Sequence, residues 1–156
     1  MSGFSAEWLA LRESYDLRAR NPIVLDAVAA SFGSRDALSI VDLACGAGST
    51  VRALGPRLPL RQHWDLVDND PRLLAVACSG KFSDDVTLNA VPLDLSSDFA
   101  AALNGTKDLI TISALLDLVS EDWLDRLAGH IATHALSVYA ALTYDGRIEL
   151  SPTDPL

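Results

Sequence analysis

The stretch Ser39-Ile40-Val41-Asp42-Leu43-Ala44-Cys45-Gly46-Ala47-Gly48-Ser49-Thr50 sets the reading of this chain. Its apolar half has the run expected of a buried strand and closes around an acid, Asp42. Two glycines one residue apart, Gly46 and Gly48, follow at once. A strand that runs into a glycine turn at the head of a helix leaves backbone N–H groups pointing outward, and a ligand can lie against the main chain there. Taken alone, the loop speaks only for a nucleotide-like ligand, and a tight turn with nothing bound would use the same glycines.

Outward from this stretch the pattern alternates. Four short apolar runs, at 38–43, 64–67, 86–91 and 109–112, each lead into a helical pattern. A fifth, at 136–143, precedes Tyr144-Asp145-Gly146-Arg147 and Ile148-Glu149-Leu150, where Asp-Gly between apolar runs signals a hairpin. The first forty residues read as two helices. Ser5 caps the first; Asn21 caps the second, with Pro22 in its first turn and Gly33 as terminator. Asp70-Pro71 opens the helix after the second run and Gly80 closes it. Ser120-Glu121-Asp122 opens the helix after the fourth run. Strands alternating with helices over short joins predict an α/β protein with a parallel, doubly wound sheet and right-handed crossovers.

In such a sheet a ligand lies outside the carboxyl ends of the strands, where strand order reverses. The residues that close the strands therefore carry the chemistry. Asp68 closes the second run, twenty residues after Gly48, the distance at which an acid meets ribose hydroxyls in a dinucleotide fold. A carboxylate suits two adjacent hydroxyls because each oxygen accepts one hydrogen bond. Asp70 is better explained as a helix cap. Asp94, after the third run, is placed to accept from the exocyclic amine of adenine, with Leu95 over a ring face; ending a strand or starting a turn is the plainer role. Ser113 and Ala114, closing the fourth run, are small enough to leave room for a reacting group. Asp117 beyond them is a substrate-facing acid or a solvated one.

The 156 residues are 49% hydrophobic and 21% charged, with a formal net charge of −9, as in an ordinary soluble domain. That balance argues against nucleic acid or an anionic membrane as the main partner. No secretory signal and no apolar run of membrane-spanning length is seen, so a cytoplasmic protein is expected. Cys45 and Cys78 have no metal or disulfide spacing and read as packed thiols. His63, His130 and His134 make no metal set, and no metal is expected.

At this point the chain resembles the class I S-adenosylmethionine-dependent methyltransferases. Val41-Asp42-Leu43-Ala44-Cys45-Gly46-Ala47-Gly48 is similar to that family's first motif, an acid followed by three alternating glycines, with Ala44 in place of the first. The resemblance covers about residues 38–143 and implies a Rossmann-like, mainly parallel sheet of about five strands in the order 3-2-1-4-5, with N-terminal helices and a short C-terminal hairpin. One domain is expected over residues 1–156: a helical cap over 1–37, a cofactor-binding core over 38–143, and a hairpin and tail over 144–156. It implies S-adenosylmethionine as cofactor. Backbone from Ala44 through Cys45 and Gly46 to Gly48 would pass along the methionine part, and Asp42 would help fix its amino group. Asp68 would bind the ribose, Asn69, Asp94 and Leu95 would meet the adenine, and Ser113 would line the cofactor. Arg12, Arg18 and Arg20 fall in the expected cap, where a solvated helix face is their commoner fate and one of them reaching the cofactor carboxylate is the alternative.

The nicotinamide or flavin dinucleotide fold competes, but its fingerprint asks for a third glycine where Val51 stands, and not for Asp42 or Asp94. The Asn-Pro-Pro-aromatic motif of some family members is absent after the fourth strand. Together with the acidic balance, this leans toward a small-molecule acceptor. No residue is assigned to catalysis, since transfer to a nucleophile asks mainly for placement. The family's last two strands have no counterpart in these residues. The resulting fifth-strand edge is expected either to favour self-association or to be relieved by the hairpin from Tyr144 to Leu150, and a non-catalytic cofactor-binding or interaction module is the alternative function.

Overall fold

The computed structural model describes residues 4–59 and 61–142. Helices α1 (Ala6–Ala19) and α2 (Pro22–Phe32) precede β1 (Ala37–Leu43), α3 (Ser49–Leu54), β2 (Arg61–Asp68), α4 (Pro71–Cys78) and β3 (Val86–Pro92). The chain continues through α5 (Leu95–Ala102), β4 (Leu109–Ser113), α6 (Glu121–His134) and β5 (Ser137–Ala141). The five strands form one sheet in the order β3-β2-β1-β4-β5, and all neighbours are parallel. The fold class expected from the sequence is the one observed. The hairpin expected at 144–150 lies outside the described residues.

Local chemistry starts the helices where the sequence placed them. Ser5 Oγ accepts from Trp8 N at 3.1 Å, Asn21 Oδ1 from Ile23 N at 2.9 Å, and Asp70 Oδ1 from Arg72 N at 2.9 Å. Ser120 Oγ does the same for Trp123 N at 3.2 Å. Each side chain satisfies one of the amides that a first helical turn leaves without a partner.

The two faces of the sheet bury different side chains because strand residues alternate. Ile40, Trp64, Leu66, Leu109 and Tyr139 pack with Leu25, Phe32, Val51, Leu54, Leu74 and Ala77 from α2, α3 and α4. Val41, Leu43, Val67, Ile110 and Ile112 pack with Phe99, Ala102, Leu103, Trp123 and Leu127 on the α5 and α6 side. The central strands are covered on both faces, which is why their sequences read as nearly unbroken apolar runs.

Most strand boundaries differ from the sequence reading by one or two residues, and the start of β2 by three. β2 begins at Arg61 and not at Trp64. Its extra residues are polar, but Gln62 is buried and paired: its amide donates to Gly55 O at 2.8 Å and Pro59 O at 2.9 Å, while its carbonyl accepts from Trp64 Nε1 at 2.8 Å. Apolar periodicity cannot register a glutamine that joins the core through hydrogen bonds.

The strand order reverses between β1 and β4. β1 leads through α3 to β2 on one side, whereas β4 lies on the other and leads through α6 to β5. At this reversal Gly48 caps α3 with φ +83°, and a Cβ placed on it would stand 3.0 Å from Ala77 Cβ and 3.2 Å from Ala77 Cα in α4. Both the left-handed backbone and the close helix exclude a side chain. Gly48→Ala is therefore expected to lower the unfolding free energy by about 2–4 kcal/mol, the sum of left-handed strain and overpacking. Urea denaturation checks this, and an unchanged midpoint would refute it.

Candidate functional site

Three alternating residues after β1 take left-handed backbone: Ala44 (φ 54°), Gly46 (φ 53°) and Gly48 (φ 83°). This alternation turns the chain sharply at the strand end and carries it into α3. Ala44 adopts the conformation of a glycine at the cost of a modest strain, typically 1–2 kcal/mol per residue. Cys45 N donates to Val67 O and Gly48 N to Cys45 O, each at 2.9 Å, so the turn is tied to the neighbouring strand and to itself.

Asp68 fixes the loop from the end of β2. Its Oδ2 accepts from Gly46 N and its Oδ1 from Asp70 N, both at 2.9 Å, and the side chain is buried. Each oxygen thus holds one backbone donor and keeps further acceptor capacity. Arg52 braces the other side. Its guanidinium donates to Ala47 O at 2.8 Å and makes a two-point pair with Glu13 of α1 at 2.6 and 2.9 Å. The glycine loop, α3 and the N-terminal helix are therefore joined through one arginine.

These elements enclose a cavity of about 910 Å³ at the carboxyl ends of the strands. Its walls include Ala44, Cys45, Gly46, Asp68, Asn69, Asp94, Leu95 and Ser113, all expected site residues, together with Asp117. A Cβ on Gly46 would stand 3.6 Å from Leu9 of α1, which also lines this space. Gly46 therefore lies against Leu9 in the cavity wall, with room for no more than contact between them. Asp94 lines the cavity and caps α5, with Oδ1 accepting from Ser96 N at 2.9 Å and Ser96 Oγ at 2.7 Å. Those two hydrogen bonds hold its carboxyl below the ordinary value. Trp123 Nε1 donates to Leu95 O at 2.8 Å and fixes the wall beside it.

Two expected residues are not in the wall. Gly48 lies beneath the loop against α4. Asp42 is fully buried under it, on the same sheet face as Thr111, whose Oγ1 donates to Asp42 Oδ1 at 2.7 Å; Asp42 Oδ2 has no partner among the described residues. A direct contact between Asp42 and a ligand in the cavity is not what this geometry provides. The strand alternation explains why: Asp42 points into the core with Ile40, one residue before the chain turns outward.

Arg20 is the second correction. A solvated face was expected, but Arg20 caps α1 and is buried, donating to Tyr139 Oη at 3.1 Å, Ser113 Oγ at 3.2 Å, Thr50 Oγ1 at 3.3 Å and Ser49 Oγ at 3.5 Å. Its partners come from α3, β4 and β5, and two of them, Ser49 and Ser113, reach the cavity wall. No sequence signal separates an arginine that tertiary folding buries from its neighbours Arg12 and Arg18. The Arg52–Glu13 pair escaped the sequence for the same reason, since the two residues lie 39 positions apart.

Cys45 is buried, and burial pushes its thiol well above the ordinary value, with the negative charges of Asp42 and Asp68 adding to the effect. It is a packing residue and not a nucleophile. Among the described residues no group of three or more His, Cys, Asp or Glu side chains forms a metal site, and no helix is long and apolar enough to cross a membrane.

No family model and no curated protein matches the sequence. Solved structures do match the fold. An S-adenosyl-L-methionine-dependent methyltransferase structure from Methanococcus maripaludis superposes with TM-score 0.55 at 15% identity, over 91% of this chain and 67% of that one. The plantazolicin methyltransferase, solved with S-adenosylhomocysteine, gives 0.58 at 17% identity, over 88% of this chain and 54% of its own. Magnesium protoporphyrin IX methyltransferase from Synechocystis PCC 6803, solved with S-adenosylmethionine, gives 0.56 at 16% identity, over 90% and 64%. The fold is thus the Rossmann-like fold of these methyltransferases, and the chain spans 54–67% of the length of these three.

The buried carboxyl of Asp42 has a measurable consequence. Burial pushes it up to about 7 from an ordinary 3.8, against the opposing effects of the Thr111 hydrogen bond and the Arg20 charge. In the unfolded chain the group ionises near its ordinary value, so between about pH 4 and 7 the folded state holds a proton that the unfolded state has lost. Stability contributed by Asp42 is complete below this window and is lost as pH rises through it. Asp42→Asn removes the titration. Its stability relative to the parent is expected to rise from pH 4.5 to 7.5 by about 3 kcal/mol and to level off above. Denaturant titrations of both proteins across this range check it; a difference independent of pH would refute it.

Proposed function

We propose that this chain binds S-adenosylmethionine in the cavity and transfers its methyl group to a small-molecule acceptor. The observation that carries the reading is the Asp68 carboxylate at the end of β2. It is buried, held by Gly46 N and Asp70 N, and aimed from beneath a loop of alternating left-handed residues. A carboxylate fixed in this way can accept from the two ribose hydroxyls without further ordering, so little conformational entropy is lost on binding. The bare backbone at Gly46 suits close approach of the methionine portion, and Asn69, Asp94 and Leu95 supply the polar and apolar sides of an adenine pocket. Ser113 and the buried Arg20 behind it provide positive charge and hydroxyls for the carboxylate end of the cofactor.

The bound cofactor supplies an electrophilic methyl group on a sulfonium. The work left to the protein is to hold the acceptor in line with it and to exclude water from the contact. Asp42, in this reading, acts beneath the loop and not on the ligand. The β5 edge, where Val138 is exposed, supports self-association as part of the same proposal. Light scattering is expected to give a mass that rises with concentration, and a constant monomer mass would count against it.

Titration calorimetry with S-adenosylhomocysteine, using NAD as control, is expected to give binding to the first alone. Asp68→Ala should weaken it by about 1–3 kcal/mol, roughly 5- to 150-fold, the cost of unpairing polar groups. Unaltered affinity in a folded variant would sink the ribose assignment.

A further inference from the structure

The part of the cavity away from Asp68 differs in chemistry from the loop side. Its mouth is formed by Phe4 and Trp8 at the start of α1, by Leu118 after β4, and by Leu142 after β5. All four are large apolar side chains left 42–66% exposed, and Phe4 and Trp8 stack with ring centroids 4.9 Å apart. Exposed apolar groups gathered around the mouth of a cavity favour a ligand with an apolar body that covers them.

Charge decides what that body carries. The cations in the cavity wall are Arg12 and Arg52, and each is already matched by a carboxylate in the same wall. Arg12 bonds Asp16 at 2.7 and 2.9 Å, and Arg52 bonds Glu13 at 2.6 and 2.9 Å. Subtracting these two pairs leaves Asp68, Asp94 and Asp117. The first two belong to the loop and α5 side, where they hold backbone amides. Asp117 sits in the segment that also supplies Leu118, is exposed, and has no partner among the described residues. An anionic ligand would meet a net negative wall among the described residues, because Arg20, bound to hydroxyls and not to a carboxylate, lies behind Ser49 and Ser113 and not in the lining. A cationic one would gain from the field of the wall and from a carboxylate set among apolar groups.

We infer that the cavity mouth selects an amine-bearing small molecule with an apolar, preferably aromatic, body, held by the Phe4–Trp8 pair and Leu118, with its nitrogen toward Asp117. That this molecule is the methyl acceptor rests on the methyl-transfer reading; its charge and apolar body follow from the wall alone.

The test uses the full chain and three probes of one skeleton: 2-phenylethylamine, 2-phenylethanol and phenylacetate. Each is titrated with and without S-adenosylhomocysteine while Trp fluorescence is followed. The amine is expected to bind roughly tenfold or more tightly than the carboxylate, with the alcohol between them and the gap narrowing at high salt. Asp117→Asn should reduce the amine-to-carboxylate ratio to within about threefold, while S-adenosylhomocysteine affinity stays as in the parent. Trp8→Ala should weaken all three probes together. Equal or tighter binding of phenylacetate would overturn the inference, as would a gap that Asp117→Asn leaves intact, or absence of probe binding to a chain that still binds S-adenosylhomocysteine. Loss of S-adenosylhomocysteine binding with the amine preference retained would overturn the methyl-transfer reading and support the amine site.

Discussion

The Asp68 carboxylate ties together the two turns on which the cavity depends. By accepting from Gly46 N and Asp70 N, each at 2.9 Å, it joins the loop after β1 to the turn after β2. The two strands are already in register, with Leu43 opposite Val67. The carboxylate extends that pairing past the strand ends, where no ladder hydrogen bonds remain. A loop with three left-handed residues would otherwise have many conformations to lose. The same residue that fixes the loop also lines the cavity.

Beneath this loop lies a polar layer in an otherwise apolar core. Arg20, Asp42, Thr50, Thr111 and Tyr139 are all buried on one face of the sheet, between the hydrophobic residues of β1, β4 and β5 and the helices above. Arg20 meets hydroxyls and no carboxylate at hydrogen-bond distance, while Asp42 uses one oxygen and leaves the other unpaired. Burial of these groups is costly, and for Asp42 the cost is met in part by holding its proton up to about pH 7. The physical result is a buried arginine held by four hydroxyls, two of which, on Ser49 and Ser113, belong to residues of the cavity wall. A chain built only for stability would place apolar residues there. The layer is understandable as the support of a ligand site, where stability is lower than packing alone would allow.

The N-terminal helix belongs to this same arrangement. α1 buries no residue fully, yet it bears the Glu13 partner of Arg52, the Arg20 cap and the apolar pair at the mouth. Its attachment is electrostatic and local, not a large apolar contact. Helices held in this way open at lower free energy than the core strands.

The amino-acid sequence by itself determined the order of elements, the parallel sheet and the strand-closing acids. Those rest on local signals: apolar runs of strand length, Asn-Pro and Asp-Pro helix starts, and glycines where left-handed backbone is needed. Asp68, Gly46, Asp94 and Ser113 were legible because they sit at strand ends, and strand ends converge in any doubly wound sheet. The tertiary structure alone decided which way the intervening side chains point and which distant charges meet. Asp42 is turned into the core because β1 alternates and residue 42 falls on the inner face. Arg20 is buried because α1 ends over β4 and β5, which bring Ser113 and Tyr139 to it from 93 and 119 positions away. Such contacts leave no periodic trace in the chain, since they depend on how elements stack and not on what any one of them prefers locally.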